Sequence, residues 1–246
     1  MKINELDFDV ASQTQKCIDW IGNCFDNESG NAKGVVIGIS GGKDSLITAK
    51  LCSEALGKDR VFGVLLPNKI QSDINDSIEA SKILGIKYKE VDISDSYNGL
   101  ISKIAEISNE ALINIAPRIR MTMLYAIAQS MDYRVCGTGN LSERYVGYCT
   151  KWGDMAYDFN PIANFTSDEV IAIGDYLGLP HKLTHKTPAD GLSGMSDEEK
   201  LGFTYEVLNK YIRTGVCEDI EIKEKIDRMH QQALHKLMPI PTYENN

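Results

Sequence analysis

The chain has 246 residues, 43% of them hydrophobic, and a formal net charge of −9, which suits one large α/β domain or two smaller ones. The negative charge argues against a non-specific nucleic-acid-binding protein, because such proteins usually present a basic face. No apolar run has the length of a membrane span and residues 1–7 lack a signal-peptide pattern, so we expect a cytoplasmic protein without a membrane or nucleic-acid partner.

The first half of the chain alternates helical patterns with short apolar runs. An amphipathic helix is predicted within residues 1–28. Buried strands are predicted where β-branched residues cluster, and helices where apolar residues recur every three or four positions. In chain order the predicted elements are a strand at 35–39, a helix at 44–56, a strand at 60–66, a helix at 72–84 and a strand at 88–93. This order predicts a Rossmann-like, doubly wound parallel sheet with helices on both faces, which binds ligands beyond the carboxyl ends of its strands.

The second half is predicted to be mostly helical, with two irregular stretches. Residues 96–130 have a helical pattern, interrupted near Pro117, which fits the first turn of a new helix over 118–131. A fourth strand at 133–137 is followed by a long irregular loop at 140–164, of a length that is usually functional or mobile. The remaining predicted elements are a helix at 167–177, an irregular stretch at 186–198, and helices at 199–213 and 220–237.

The turn after the first strand has the sequence Ser-Gly-Gly-Lys-Asp-Ser at residues 40–45. A strand, a Gly-rich turn and a helix form an anion site, because backbone N–H groups converge there and glycine lets a phosphate approach closely. The turn is not a Walker-type P-loop, since only three residues separate Gly38 from Gly42. Asp44 would repel a bound phosphate unless a cation lay between them, which predicts Mg²⁺ with Asp44 as a ligand. The simpler alternative is a plain turn in which Asp44 only caps or charges the helix.

This turn resembles the phosphate-binding loop of the ATP pyrophosphatase superfamily. Three later segments resemble the central signature of NAD⁺ synthetases: Gly-Thr-Gly-Asn-Leu-Ser-Glu at 137–143, Gly-Tyr-Cys-Thr-Lys-Trp-Gly-Asp at 147–154, and Asp-Phe-Asn-Pro-Ile at 158–162. The tail agrees with the family at 186–192, 196–199 and 201–205. The resemblance implies a ligase that converts deamido-NAD⁺ and ammonia to NAD⁺ with ATP, through an acyl-adenylate and with release of AMP and pyrophosphate. It covers nearly the whole chain, which implies one synthetase domain over residues 1–246 without a glutaminase domain.

The same resemblance assigns roles to individual residues. It implies that ATP is bound by Gly38, Ile39, Ser40, Gly41, Gly42, Lys43, Asp44, Ser45, Thr138, Ser167 and Ala189. It implies that Asp44 and Glu143 hold Mg²⁺ and that Lys43 neutralises the departing pyrophosphate. Deamido-NAD⁺ would be contacted by Arg118, Lys151, Asp158, His235 and Lys236. The family forms homodimers whose interface holds the dinucleotide, so the resemblance also implies a homodimer.

Four positions depart from the family pattern. Ser193 stands where the family often has Trp, and Leu237 stands where it often has Arg. Ser167 stands where the family often has Lys, and Ala189 stands where it often has Ser or Thr. The departures at Ser167 and Ala189 weaken the case for side-chain contacts with the ATP phosphates at those positions, although the backbone can still approach there.

The residues themselves support part of this assignment. Glu143 follows the fourth strand, which a Rossmann-like order places beside the first, so its carboxylate can reach a metal on Asp44. Glu143 could instead cap its own helix, Lys151 could be a solvated lysine and His235 a surface residue. Other functions to weigh are another ATP pyrophosphatase, such as a tRNA-modifying enzyme or a GMP-synthetase-like amidase, and a non-catalytic nucleotide-binding module. The acidic charge disfavours the tRNA enzymes, and two carboxylates facing a triphosphate favour catalysis.

Overall fold

A parallel four-stranded sheet forms the centre of the protein. The computed structural model describes residues 8–69, 74–186 and 196–243. The strands are β1 (Gly34–Gly38), β2 (Val61–Leu65), β3 (Lys87–Glu90) and β4 (Tyr133–Cys136), in the spatial order β3-β2-β1-β4. In register, Val35 pairs with Val61 of β2, and Gly34 pairs with Tyr133 of β4. The predicted doubly wound parallel sheet is therefore confirmed, and β4 lies beside β1 as expected.

Helices cover both faces of this sheet. One face carries α1 (Val10–Asn23), α2 (Lys43–Leu56), α3 (Ile74–Leu84), α7 (Ser167–Tyr176) and α8 (His181–Thr184), and the other carries α4 (Ser94–Ile101) and α5 (Asn109–Met131). Because side chains alternate along a strand, Val35 and Ile37 of β1 pack into the first core, whereas Val36 packs into the second. All three are fully buried. Within the described ranges, no helix is both long enough and apolar enough to cross a bilayer.

A third core lies in the C-terminal part of the chain. It involves α6 (Leu141–Tyr145), α9 (Asp197–Leu201), α10 (Tyr205–Thr214) and α11 (Ile220–Leu237). We call its buried side chains the C-terminal cluster: Val146, Leu201, Phe203, Tyr205, Leu208 and Ile226. Since α6 directly follows β4, this cluster packs against the segment that carries Glu143.

The predicted helix break at Pro117 is wrong. Helix α5 runs through Pro117 without interruption, and the break lies earlier, between α4 and α5. Ser108 begins α5 by accepting a hydrogen bond from the Ala111 N–H at 3.2 Å. Proline leaves the carbonyl of Ile113 without its helical donor. Ile113 is 62% exposed, so water can satisfy that carbonyl and the helix continues.

Two further predictions of local structure need correction. The predicted irregular loop at 140–164 contains α6, which is too short to show a helical period in the sequence. The predicted helix at 199–213 is two helices, because Gly202 has a φ of +74° and ends α9. Thr204 then caps α10 by accepting from the Val207 N–H at 3.3 Å. Most of the predicted irregular stretch at 186–198 lies outside the described residues.

Candidate active site

The Gly-rich turn joins the carboxyl end of β1 to the start of α2. Gly41 has a φ of +81°, a conformation that residues with a side chain rarely adopt. The Ser45 hydroxyl lies 3.1 Å from that of Ser40, accepts from the Ser40 N–H at 3.2 Å and donates to the Gly42 carbonyl at 3.0 Å. These bonds hold the turn in one shape. The first N–H groups of α2 have no acceptor within the helix, so they are available to an anion.

Lys43 and Asp44 form a buried ion pair at the start of α2. Lys43 is only 4% exposed, and its Nζ lies 2.8 Å from Asp44 Oδ2. Burial alone would lower the pKa of Lys43, but the carboxylates of Asp44, Glu143 and Asp197 outweigh it, and the pKa is raised. Asp44 Oδ1 accepts a further hydrogen bond from the Asn140 amide at 3.2 Å. Asp44 therefore faces the site and makes no capping bond to α2.

Glu143 lies on α6, at the carboxyl end of the neighbouring strand β4. The Asn140 side-chain oxygen accepts from the Glu143 N–H at 3.1 Å, and Glu143 Oε2 accepts from the Asn140 N–H at 3.3 Å. Burial, followed by the carboxylates of Asp44 and Asp154, raises the pKa of Glu143 to about 8 against the opposing effect of Lys43. Glu143 thus both caps its helix and faces Asp44.

The donor set at this point fits a hard divalent cation. Asp44 and Glu143 offer oxygen ligands, and after burial the Asp44 carboxylate is the strongest influence that raises the pKa of Glu143. No third histidine, cysteine or carboxylate completes a metal-holding group in the part of the chain that the structure describes. Mg²⁺ usually keeps several water molecules and is bound through one or two carboxylates and substrate phosphates. The pair therefore suits a cation that obtains its remaining ligands from water and phosphate.

The other residues predicted to bind ATP lie around the same strand ends. Gly38 ends β1, and Thr138 follows β4. The Ile39 side chain is buried, and its N–H donates to the Val64 carbonyl at 2.9 Å. Ser167 is buried, and its N–H donates to the Ser142 hydroxyl at 3.0 Å. The predicted Ala189 lies outside the described residues.

Four of the residues predicted to bind deamido-NAD⁺ meet at the 147–155 turn. The Arg118 guanidinium donates to the Lys151 carbonyl, with Nε at 3.3 Å and an Nη at 3.2 Å. Lys151 Nζ donates to the His235 carbonyl. Lys236 Nζ donates to two carbonyls of the turn, each at 2.7 Å. These cations brace the turn, and Lys151 is not simply a solvated lysine.

Asp158 lies apart from that group, on the outer edge of β4. Its Oδ2 accepts from the Val135 N–H at 2.7 Å, and its Oδ1 accepts from the Tyr125 hydroxyl at 3.2 Å. Burial and then the nearby Asp158 carboxylate raise the pKa of Tyr125 to about 12. Asp158 also lines a cavity of about 470 Å³, together with Trp20, Phe25, Arg134, Arg144, Tyr157 and other residues. Both oxygens of Asp158 thus hold main-chain and side-chain partners within the fold.

Comparisons with known proteins identify the family. The family described as NAD synthase matches residues 13–243 of the chain. The chain belongs to the NAD synthase family. An NH₃-dependent NAD⁺ synthetase from Thermococcus sibiricus is 40% identical over 213 residues, which cover 85% of this chain and 83% of that relative.

Two solved structures are similar to this NAD synthase family member. A protein described as NMN synthetase from Francisella tularensis has a TM-score of 0.89 and 32% identity, covering 97% of this chain and 100% of that one. The NH₃-dependent NAD synthetase from Campylobacter jejuni, in complex with nitrate, has a TM-score of 0.80 and 30% identity, covering 96% and 100% of the two chains. Both likenesses extend over nearly the whole length of this chain.

The structure of this NAD synthase family member adds residues that the sequence did not single out. Asn140, Asp197 and Tyr205 all lie close to the Lys43–Asp44–Glu143 group, and Asp197 accepts from the Tyr148 hydroxyl at 3.0 Å. For Asn140 a signal was present, because Asn-x-x-Glu before a helix has the spacing of a capping box. Asp197 and Tyr205 have no such local signal, since they reach the site through the packing of the C-terminal helices.

Proposed function

We infer that this chain is a ligase that makes NAD⁺ from deamido-NAD⁺ and ammonia with ATP. The observation that carries this function is the meeting of Lys43, Asp44 and Glu143 beside the Gly-rich turn, at the carboxyl ends of adjacent strands. Family membership supplies the reaction class, and the curated relative's name specifies ammonia as the nitrogen donor. A plain nucleotide-binding module has little use for two carboxylates beside a phosphate site.

The reaction proceeds in two steps through an acyl-adenylate. A carboxylate oxygen of the nicotinate attacks the α-phosphorus of ATP, the bond from that phosphorus to the bridging oxygen breaks, and pyrophosphate leaves with the electron pair. Ammonia then forms the C–N bond, AMP leaves from the same carbon, and the surplus proton passes to solvent. The turn N–H groups and Lys43 lower the barrier of the first step by neutralising the charge that develops on pyrophosphate.

Asp44 and Glu143 hold Mg²⁺ in this proposal. When bound, the cation neutralises the phosphate oxygens and orients the leaving pyrophosphate. The chain's own contribution is to fix the positions of the two carboxylates relative to each other. Asn140 does so by donating to Asp44 and capping the Glu143 helix at the same time.

The dinucleotide is bound beside the 147–155 turn, where cationic side chains and main-chain carbonyls are concentrated. Arg118, Lys151 and Lys236 donate their hydrogen bonds to main-chain carbonyls. These cations can therefore turn toward an anionic substrate without leaving a buried carboxylate unpaired. His235 is exposed beside Lys236. Asp158 lines the cavity of about 470 Å³ and provides a second polar contact for the substrate there.

A homodimer completes this substrate site. The Thr150 hydroxyl donates to the Asn114 side chain at 2.6 Å, which joins the 147–155 turn to α5. Close in sequence to these two residues, Ile113 is 62% and Trp152 56% exposed. Large exposed apolar side chains that cluster on a surface mark interaction sites, and a second copy of the chain would cover them next to Lys151.

The alternative substrate is the mononucleotide form of the same acid. The Francisella tularensis protein with the TM-score of 0.89 is described as an NMN synthetase. The chemistry at Lys43, Asp44 and Glu143 would be unchanged, because only the part of the substrate remote from the carboxylate differs.

The deciding experiment measures AMP and pyrophosphate release from Mg·ATP with deamido-NAD⁺ or nicotinate mononucleotide, with and without ammonium. We expect release to require deamido-NAD⁺ and NAD⁺ to appear only with ammonium. A higher kcat/KM for nicotinate mononucleotide would identify it, in place of deamido-NAD⁺, as the substrate. Release of AMP and pyrophosphate in the absence of both acids would contradict the proposed ligase function. Glu143→Gln should abolish turnover, whereas Glu224→Gln, an exposed change on α11, should leave it unchanged.

A further inference from the structure

The hydroxyl of Tyr205 is buried near the site and has no hydrogen-bond partner among the residues that the structure describes. Tyr205 is the first residue of α10 and is 6% exposed. Its N–H donates to Glu198 Oε1 at 2.7 Å, and its ring belongs to the C-terminal cluster. No residue in the described part of the chain offers its hydroxyl a partner. Native structures rarely leave such a group unpaired, so this hydroxyl calls for a partner that the described residues do not provide.

The surroundings of this hydroxyl are strongly acidic. Burial, and then the carboxylates of Glu143, Asp197 and Asp44, raise the pKa of Tyr205 far above its usual value. Asp197 already accepts from the Tyr148 hydroxyl. Tyr205 therefore stays a neutral phenol that can both donate and accept a hydrogen bond, and it lies near the two carboxylates that we assign to the cation.

We propose that the Tyr205 hydroxyl lines the cation site and forms a hydrogen bond with an oxygen ligand of the cation that Asp44 and Glu143 hold. That oxygen belongs to a bound water, from which the phenol accepts, or to pyrophosphate, to which it donates. The inference rests on the proposed function. Tyr205 acts here as a positioning residue, since it touches the coordination sphere of the cation and takes no part in bond making.

The stability of the ligand-free protein separates this role from a structural one. Tyr211 lies on the same helix, and its hydroxyl donates to Asp227 Oδ1 at 2.6 Å. Tyr211→Phe should lower the melting temperature, because it removes a formed bond, whereas Tyr205→Phe removes none and should leave it unchanged or raised. If the melting temperature of Tyr205→Phe fell as far as that of Tyr211→Phe, the Tyr205 hydroxyl would have a hydrogen bond within the fold, and the proposal would be overturned.

Cation binding tests the proposal directly. Mn²⁺ binding is measured by electron paramagnetic resonance on the full chain, first with Mn²⁺ alone and then with Mn²⁺ and pyrophosphate. Tyr205→Phe should weaken binding about tenfold, the size expected when a hydrogen bond to a charged group is removed, while Tyr211→Phe should bind as the wild type does. Weakening with Mn²⁺ alone assigns the bond to water, and weakening only with pyrophosphate assigns it to phosphate.

Two results would overturn the inference in different ways. Wild-type binding within twofold in both arms for Tyr205→Phe would remove Tyr205 from the cation site and leave the proposed function intact. A wild-type protein that binds Mn²⁺ in neither arm, or a Glu143→Gln protein that binds it as tightly as the wild type, would remove the metal role itself and this inference with it.

Discussion

The Asn140 side-chain amide donates a hydrogen bond to Asp44 Oδ1 at 3.2 Å, across 96 positions of sequence. The oxygen of the same amide caps the helix that carries Glu143. Asn140 is fully buried, so its position is set by packing. One side chain therefore fixes the relative placement of the two carboxylates at the ends of β1 and β4.

Asn140→Ser should separate the two tasks of this side chain. Serine is as good a helix N-cap as asparagine, but it cannot donate an amide hydrogen to Asp44. We expect Asn140→Ser to cost about 1 kcal/mol of unfolding free energy and Asn140→Ala about 2 kcal/mol. Both should lower kcat by about tenfold or more, since a hydrogen bond to a charged group is lost. Chemical denaturation and steady-state kinetics measure these effects, and full activity in Asn140→Ser would contradict the positioning role.

The stability of the metal-free protein should depend on the ionisation of Glu143. Its folded pKa of about 8 lies above the ordinary value of 4.5, so between these pH values the folded state binds the proton more tightly than the unfolded state does. Unfolding free energy is therefore lost as pH rises from about 4.5 to about 8. Glutamine does not ionise, so Glu143→Gln does not lose this unfolding free energy. The stability of the variant relative to the wild type should therefore increase as pH rises from about 4.5 to about 8. Denaturation at pH 5 and pH 8 tests the sign, and an equal difference at both pH values would contradict it.

Gly41→Ala should damage the anion site through the backbone. The φ of +81° at Gly41 costs a residue with a Cβ on the order of 1–2 kcal/mol. We expect Gly41→Ala to lose about that much stability and to raise the KM for ATP. The matched control is Gly22→Ala in α1, where an added Cβ meets nothing within 4 Å. That change should stabilise the protein by about 0.5–1 kcal/mol, with kinetics unchanged.

Arg213→Ala should be among the most destabilising single changes. Arg213 Nε lies 2.8 Å from Glu169 Oε1 and one Nη lies 2.5 Å from Oε2, and Glu169 is 2% exposed. Removing the arginine leaves the buried Glu169 carboxylate with the Thr166 N–H at 2.8 Å as a remaining donor, so we expect a loss of about 3 kcal/mol, the lower end of the usual cost of breaking a buried ion pair. Lys182→Ala breaks the exposed pair with Glu79 and should cost under about 0.5 kcal/mol. Calorimetry of both variants tests the contrast, and equal losses would contradict it.

Local patterns in the sequence were sufficient for much of the fold and part of the site. Short apolar runs with β-branched residues indicated β1 and β2, because buried strands of a parallel sheet need such residues, whereas β3 is exposed along its whole length. The βαβ order then implied that Asp44 and Glu143 would meet, since β1 and β4 are neighbours. The helix break predicted at Pro117 was wrong, because the cost of a proline in a helix depends on tertiary structure. That cost is lower when the carbonyl four residues earlier, which loses its donor, is exposed to water.

By itself, the sequence determined the doubly wound sheet, the Gly-rich turn and the family, because strand composition, glycine spacing and chain order are local. Only the tertiary structure decided that Asn140 links Asp44 to Glu143 and that Tyr205 and Asp197 stand beside them. These residues come from helices that pack through the C-terminal cluster. Such packing depends on how distant apolar faces fit together, and no spacing along the chain encodes which polar groups are buried between them.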